Sequence, residues 1–146
     1  KVTEAPKGSL SLVGNHLISL KTQGTPGAQF VESAGVAGAP EWQVNLDLNW
    51  TYKNFNLNYG INYFDETLRY SRATVAADPD IVAPEYLYIN SKFQHDLQAR
   101  WTTDDGMSFY AGVNNLFNQE PDIGSTFYPV SAVGRFFYAG FRADLP

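Results

Sequence analysis

Three pairs of acids stand close enough in the sequence to serve as proton donor and acceptor: Asp65 with Glu66, Asp78 with Asp80, and Asp104 with Asp105. Such pairs do acid–base chemistry only where a shared, partly dry cleft drives their two pKa values apart. Their surroundings predict instead a strand end, a long loop and a tight turn, which are solvated positions with structural roles. His16 and His95 each lack a second ligand in the neighbouring sequence, so neither opens a metal site. Cysteine is absent, which removes thiolate metal sites and disulfides. The sequence holds no glycine-rich phosphate loop and no nucleophile elbow. Asn49-Trp50-Thr51 fits a glycosylation sequon but falls inside a strand pattern. The expectation is a chain that is not an enzyme and needs no cofactor or metal.

With 44% hydrophobic and 15% aromatic residues, the 146-residue chain is too apolar for a disordered segment. A net charge of −5 without any basic cluster excludes nucleic acid as a partner, since phosphate binding draws on lysine and arginine. No window approaches the roughly 20 consecutive apolar residues of a membrane helix, and the opening "KVTEAPKGSL" has no apolar signal-peptide core. The chain is therefore either soluble or meets a membrane as strands.

Alternation with period two pervades it. Trp42, Val44, Leu46, Leu48, Trp50 and Tyr52 alternate with Gln43, Asn45, Asp47, Asn49 and Thr51, which puts a wholly apolar and a wholly polar face on one strand. Phe55, Leu57, Tyr59, Ile61 and Tyr63 repeat the pattern, with only Lys53 and Asn54 between the two segments as a tight hairpin. The phase is lost at Phe64, which predicts a bulge or a change of surroundings. Further strands are expected over 9–21, with Leu10, Leu12, Ile18 and Leu20 on one face, and over 88–101, with Ile89, Phe93, Leu97, Ala99 and Trp101. The last two run over 107–113, with Met107, Phe109, Ala111 and Val113, and over 135–145, with Phe137, Ala139, Phe141, Ala143 and Leu145. The count is six strands and no helix. Short connections at 53–54 and 103–106 alternate with long ones at 22–40, 73–85 and 116–133, the asymmetry of an outer-membrane barrel.

A soluble sandwich uses the same alternation to pack one sheet on another. Two details favour lipid over a second sheet. The polar face is rich in uncharged amides and carries Asp47, Lys92, Asp96, Arg100, Arg142 and Asp144, as a wet lumen does. The apolar face is marked at its ends by Trp42, Trp50, Tyr52, Phe55, Trp101 and Phe109, the placement of aromatic girdles at two water interfaces.

The ending adds a motif. "SFYAGVNNLFNQEP", followed by "YPVSAVGRFFYAGFRADL", resembles the C-terminal end of TonB-dependent outer-membrane receptors, in which a strand runs into an "NNLF-D/N" element and a "GR-aromatic-aromatic" segment opens the last strand. The likeness rests on Gly112, Val113, Asn114, Asn115, Leu116, Phe117, Asn118, Pro121, Gly134, Arg135, Phe136, Phe137, Tyr138 and Phe141. It implies an all-β, antiparallel up-and-down transmembrane barrel segment, about six C-terminal strands of a roughly 22-stranded barrel with a plugged lumen. The implied function is uptake of a scarce nutrient (siderophore-iron, cobalamin, haem or an oligosaccharide) across the outer membrane of a Gram-negative bacterium. The implied partners are the rest of the same barrel, its plug domain, TonB, outer-membrane lipid and lipopolysaccharide, and a small-molecule cargo. Residues 1–146 are expected to be part of such a barrel without the plug or the earlier strands, because six strands fall short of closure. Barrels of this kind usually end on an aromatic residue, where this chain has Leu145 and Pro146. A soluble β-sandwich binding module and a porin-like barrel independent of TonB stay open at this point.

In that topology the three long loops face outward. Within the stated spans they hold Glu32, Asp78, Asp80, Glu85, Glu120 and Asp122 and no lysine or arginine. With Phe30, Phe127 and Tyr128 these are the expected cargo-facing residues. An acidic mouth repels a strongly anionic chelate and favours a neutral or cationic cargo such as a sugar, a hydroxamate-type chelate or a corrinoid. The other reading of the acids is that they hold divalent ions shared with lipopolysaccharide. Lys21, Arg69, Arg72 and Arg135 fall at the external strand ends, where lipopolysaccharide phosphates are the expected contacts.

Overall fold

Period-two alternation becomes one antiparallel sheet in the computed structural model, which describes residues 5–124 and 129–143. The elements in chain order are β1 (Lys7–His16), β2 (Lys21–Thr22), β3 (Val31–Glu32), β4 (Trp42–Tyr52), β5 (Phe55–Phe64), β6 (Thr67–Leu68), α1 (Arg72–Ala77), β7 (Tyr88–Ile89), β8 (Lys92–Thr102), β9 (Ser108–Asn114) and β10 (Phe136–Arg142). The six long strands lie in the order β1-β4-β5-β8-β9-β10, so each pairs with the next long strand along the chain. The sheet is open, with β1 and β10 at its edges.

The register gathers most of the apolar residues on one face, with Val13, Phe64 and Phe136 in the opposite phase. Leu10, Leu48, Tyr59, Leu97, Val113 and Phe137 stand in a single row across all six strands. Trp50, Leu57, Ala99, Ala111 and Ala139 form the next row. Aromatic rings flank this band: Trp50 meets Phe55 at 6.0 Å and Trp101 meets Phe109 at 5.9 Å at the short-turn end. At the long-loop end His16 stacks on Trp42 at 4.0 Å and Tyr63 meets Phe93 at 4.7 Å. From Trp42 to Trp50 the strand runs about 26 Å along its own axis, close to the roughly 9–11 residues of a tilted transmembrane strand.

No second sheet covers that face among the described residues. Leu10 is 65% exposed, Phe137 69% and Phe141 73%, and of the buried hydrophobic residues only Val113 belongs to the large sheet. The chain exposes 10182 Å², whereas a compact soluble monomer of this size exposes about 7,500 Å². These observations set aside the sandwich.

Several boundaries differ from the expectation. The first strand stops at His16, because Leu17 donates its amide to the Glu41 carbonyl and the chain then leaves the sheet, so Ile18 and Leu20 lie beyond it. Phe64 makes no bulge: it continues the ladder opposite Gln43 and Lys92 on the polar face, and β5 ends there. Ile89 is not on the lipid-type face; it pairs with Thr67 outside the large sheet and is 1% exposed. Met107 precedes β9, its carbonyl accepting the Thr103 amide across the turn. The last strand is described to Arg142, and Asp144, Leu145 and Pro146 lie outside the described residues. Among the described residues the long connections hold one short α-helix, α1, where none was expected. Ser71 caps it by accepting the Thr74 amide, a local signal that six residues without apolar periodicity obscure.

Candidate functional site

The short-turn end is simple. Lys53 takes a left-handed φ of 51° in the β4–β5 turn, and Asn54 donates to Asp104 at 2.8 Å, tying the two short turns together. The long-loop end carries the chemistry.

In the loop of residues 17–41, β2 and β3 form a small hairpin whose centre is Glu32. Its carboxylate accepts from the Ser19 hydroxyl at 2.5 Å, the Leu20 amide at 2.6 Å and the Ala34 amide at 3.0 Å. The Ser19 bond first, then the two amides, hold the Glu32 carboxyl down at about 2. This acid fastens its own loop.

The loop of residues 65–91 then joins the first one through main chain. The Ala37 amide donates to the Leu68 carbonyl and the Leu68 amide to the Gly35 carbonyl, both at 2.8 Å. Leu68 in turn pairs with Tyr88 through β6 and β7. Ala34, Leu68 and Ile89 are buried in this layer, and the buried Thr67 hydroxyl has no hydrogen-bond partner among the described residues. Between the two loops lies a cavity of about 280 Å³ lined by Gly35, Glu41, Asp65, Glu66, Leu68, Arg72 and Tyr88. Arg72 reaches Glu41 at 3.5 Å across it, and Asp65 accepts from the Tyr63 hydroxyl at 2.9 Å.

The third loop, residues 115–135, is held at its root and in its middle. Asn115, 1% exposed with φ 55°, donates its side-chain amide to the Gln119 carbonyl at 2.8 Å and accepts the Gln119 amide at 2.7 Å. Its own amide bonds Asp96 at 2.8 Å, and the Leu116 amide bonds the His95 carbonyl at 2.7 Å, so the turn docks back on β8. Asn118, φ 53°, accepts the Arg135 amide at 2.9 Å, which joins both feet of the loop. Phe117 meets His95 edge-on at 4.8 Å, and the Tyr59 hydroxyl bonds His95 Nδ1 at 2.6 Å, so this histidine sits in the apolar phase with one of its two ring nitrogens bonded. In mid-loop, Asp122 accepts from the Asn90 amide at 2.6 Å, from its side chain at 3.2 Å and from Lys92 Nζ at 3.0 Å. Burial raises the Asp122 carboxyl, but Lys92 and the Asn90 bonds outweigh it and leave the group below its ordinary value.

Placed on this frame, the cargo-facing candidates divide. Glu32 and Asp122 turn their carboxylates inward onto the protein. Phe30 is 65% exposed. Asp78 ends α1 and accepts the Asp80 amide at 3.3 Å; Glu85 lies in the first turn of a 3-10 segment, Pro84–Tyr86; Glu120 accepts from Asn118 at 3.4 Å. All four acids of that second group are exposed. Phe127 and Tyr128 lie outside the described residues. Of the four cations, Lys21 is in β2 and Arg72 reaches Glu41. Arg69 donates to the carbonyls of Tyr86, Gly124 and Ile123 at 2.7, 2.5 and 3.2 Å, and Arg135 stands at the foot of the third loop. Because the observed loops are wider than the spans read from the sequence, all four cations belong to them.

A family model described as "TonB dependent receptor-like, beta-barrel" matches residues 7–116, which takes in β1 through β9. The chain belongs to that family. No curated protein and no solved structure matches it. The TonB-dependent receptor family works in transport across the Gram-negative outer membrane, and the open six-stranded sheet is a segment of its barrel. In such barrels short turns are periplasmic and long loops external, and the three joined long loops form the mouth at one end of this segment.

Sequence reading missed Asn90, Lys92 and Glu41 as parts of this mouth. Lys92 had been placed on the polar face by its phase, which is correct, but an ion pair with an acid thirty residues later leaves no local signature.

Proposed function

We propose that this chain forms wall and external mouth of a receptor that imports a small nutrient across the outer membrane with energy delivered through TonB, as the C-terminal strands of a larger barrel completed by further strands and a plug. The observation that carries the reading is the unbroken apolar face, in register over six strands and uncovered, set opposite an amide-rich face. The cargo is neutral or cationic. Support comes from Asp78, Asp80, Glu85 and Glu120, which remain solvent-facing with no cation paired to them among the described residues, while Arg69 is bonded to loop carbonyls and Arg72 to Glu41. Lys21 and Arg135 remain for lipopolysaccharide phosphates.

The absence of cysteine makes the test clean. A single cysteine at Asp80 is expected to react with a membrane-impermeant maleimide on intact cells, and one at Asp104 only after the outer membrane is opened. Equal labelling of both on intact cells, or recovery of the chain in the soluble fraction, refutes the reading. The cargo preference is tested by uptake in a strain lacking the receptor: restored import of an anionic catecholate chelate, but of no neutral or cationic cargo, overturns it.

A further inference from the structure

We propose that the Lys92–Asp122 ion pair is a charge clasp through which the loops of residues 65–91 and 115–135 respond as one body, so that a ligand or partner displacing either loop displaces both. Lys92 is the first residue of β8, immediately after the second loop, and Asp122 lies in the middle of the third. Their side chains are 7% and 19% exposed and 3.0 Å apart. Asn90 adds its backbone and side-chain donors to the same carboxylate, so three donors from the end of one loop converge on one acid of the other.

A second strut runs the opposite way. Arg69, beside β6, holds carbonyls of its own loop (Tyr86) and of the third (Ile123 and Gly124) with one guanidinium. The elements it braces are weak alone: β6 and β7 are two residues each. An ion pair withdrawn from water leaves an orphan charge if either partner moves away. Its breakage is therefore felt by both loops, and through the Leu68–Gly35 and Ala37–Leu68 main-chain bonds by the first loop as well. The external position of what acts on the clasp rests on the transport reading; the clasp itself does not.

Hydrogen exchange on the complete receptor in detergent micelles tests this. Asp122→Asn is expected to speed exchange on the order of tenfold at the Asn90 amide and also at the Leu68 and Arg69 amides, which do not touch Asp122. The double change K92M/D122L, which leaves no orphan charge, is expected to return the Leu68 and Arg69 amides to within about threefold of the parent. Should Asp122→Asn fail to fold, Lys92→Gln, which removes the charge pair but leaves a side-chain donor beside Asp122, is expected to give the same coupled pattern on the order of tenfold. Faster exchange confined to Asn90 and the third loop, with Leu68 and Arg69 unchanged, overturns the proposal. Cysteine labelling from the wrong side sinks the transport reading and leaves the clasp standing; exchange confined to one loop does the reverse.

Discussion

Replacing Asn115 by alanine removes the residue that turns β9 into the third loop, and its cost can be built from parts. Asn115 has φ 55°, a region in which asparagine is tolerated and alanine costs roughly 1 kcal/mol. Its side chain closes two bonds with Gln119, at 2.8 and 2.7 Å. Gln119 is partly exposed, so water replaces some of what is lost and each bond contributes about 1 kcal/mol. The expected destabilisation is about 3 kcal/mol. Asn115→Gly loses the same bonds without the backbone strain and is expected to cost about 1 kcal/mol less. Asn115→Asp keeps the acceptor for the Gln119 amide but faces Asp96, whose carboxylate already holds the backbone amide of residue 115, and is expected to fall with alanine or below it. Urea unfolding in lipid vesicles, followed by the fluorescence of Trp42, Trp50 and Trp101, reads these values. An alanine variant within about 0.5 kcal/mol of the parent, or alanine and glycine variants of equal stability, refutes the reasoning, since the motif would then hold neither by its bonds nor by its conformation.

Three further outcomes follow from other parts of the sheet and mouth. Leu97→Arg, at the centre of the apolar face, is expected to cost about 2–4 kcal/mol in vesicles while Gln98→Arg on the opposite face costs little, measured by the same unfolding; equal effects would mean the faces are wrongly assigned. At Gly112 an added methyl group meets the Tyr138 ring and, at 2.8 Å, the Leu97 carbonyl, so Gly112→Ala is expected to lose about 1–3 kcal/mol, and Tyr138→Ala in the same chain recovers only the ring's share. Glu32, lowered from 4.5 to about 2, stabilises its hairpin above the unfolded value and loses that contribution as the pH falls from about 4.5 through about 2. The Leu20 amide resonance is expected to move with a midpoint near pH 2 in the parent and not to move in Glu32→Gln; a midpoint near 4.5 contradicts the three-donor site.

The sheet was readable because its physics is short-range and repetitive. In the segment from Trp42 to Tyr52 every second residue is apolar, so a slip of one position would put Leu46 and Leu48 in the lumen, and the register has little freedom. The two short turns were readable for the same reason, as the only residues between two patterns in phase. The segment around Asn115 was readable as a crossing from strand to loop, though its left-handed asparagines and their bonds to Gln119 and Arg135 were not. The contacts within the mouth were not readable. Glu32 and Asp122 look in sequence like any solvated loop acid, and Ile89 looks like one more member of an alternating strand. Their surroundings come from elsewhere: Asp122 meets Asn90 across 32 residues and Arg69 meets Gly124 across 55.

The sequence by itself determined most of the strands and their faces, since one dry face and one wet face impose a period of two; that period is shared with a sandwich, and the ending motif was what pointed to the kind of barrel. Tertiary structure alone decided which charges of the mouth are free and which are spent on holding it together. Burial and ion pairing depend on where distant segments meet, and nothing in the local order of residues records that meeting.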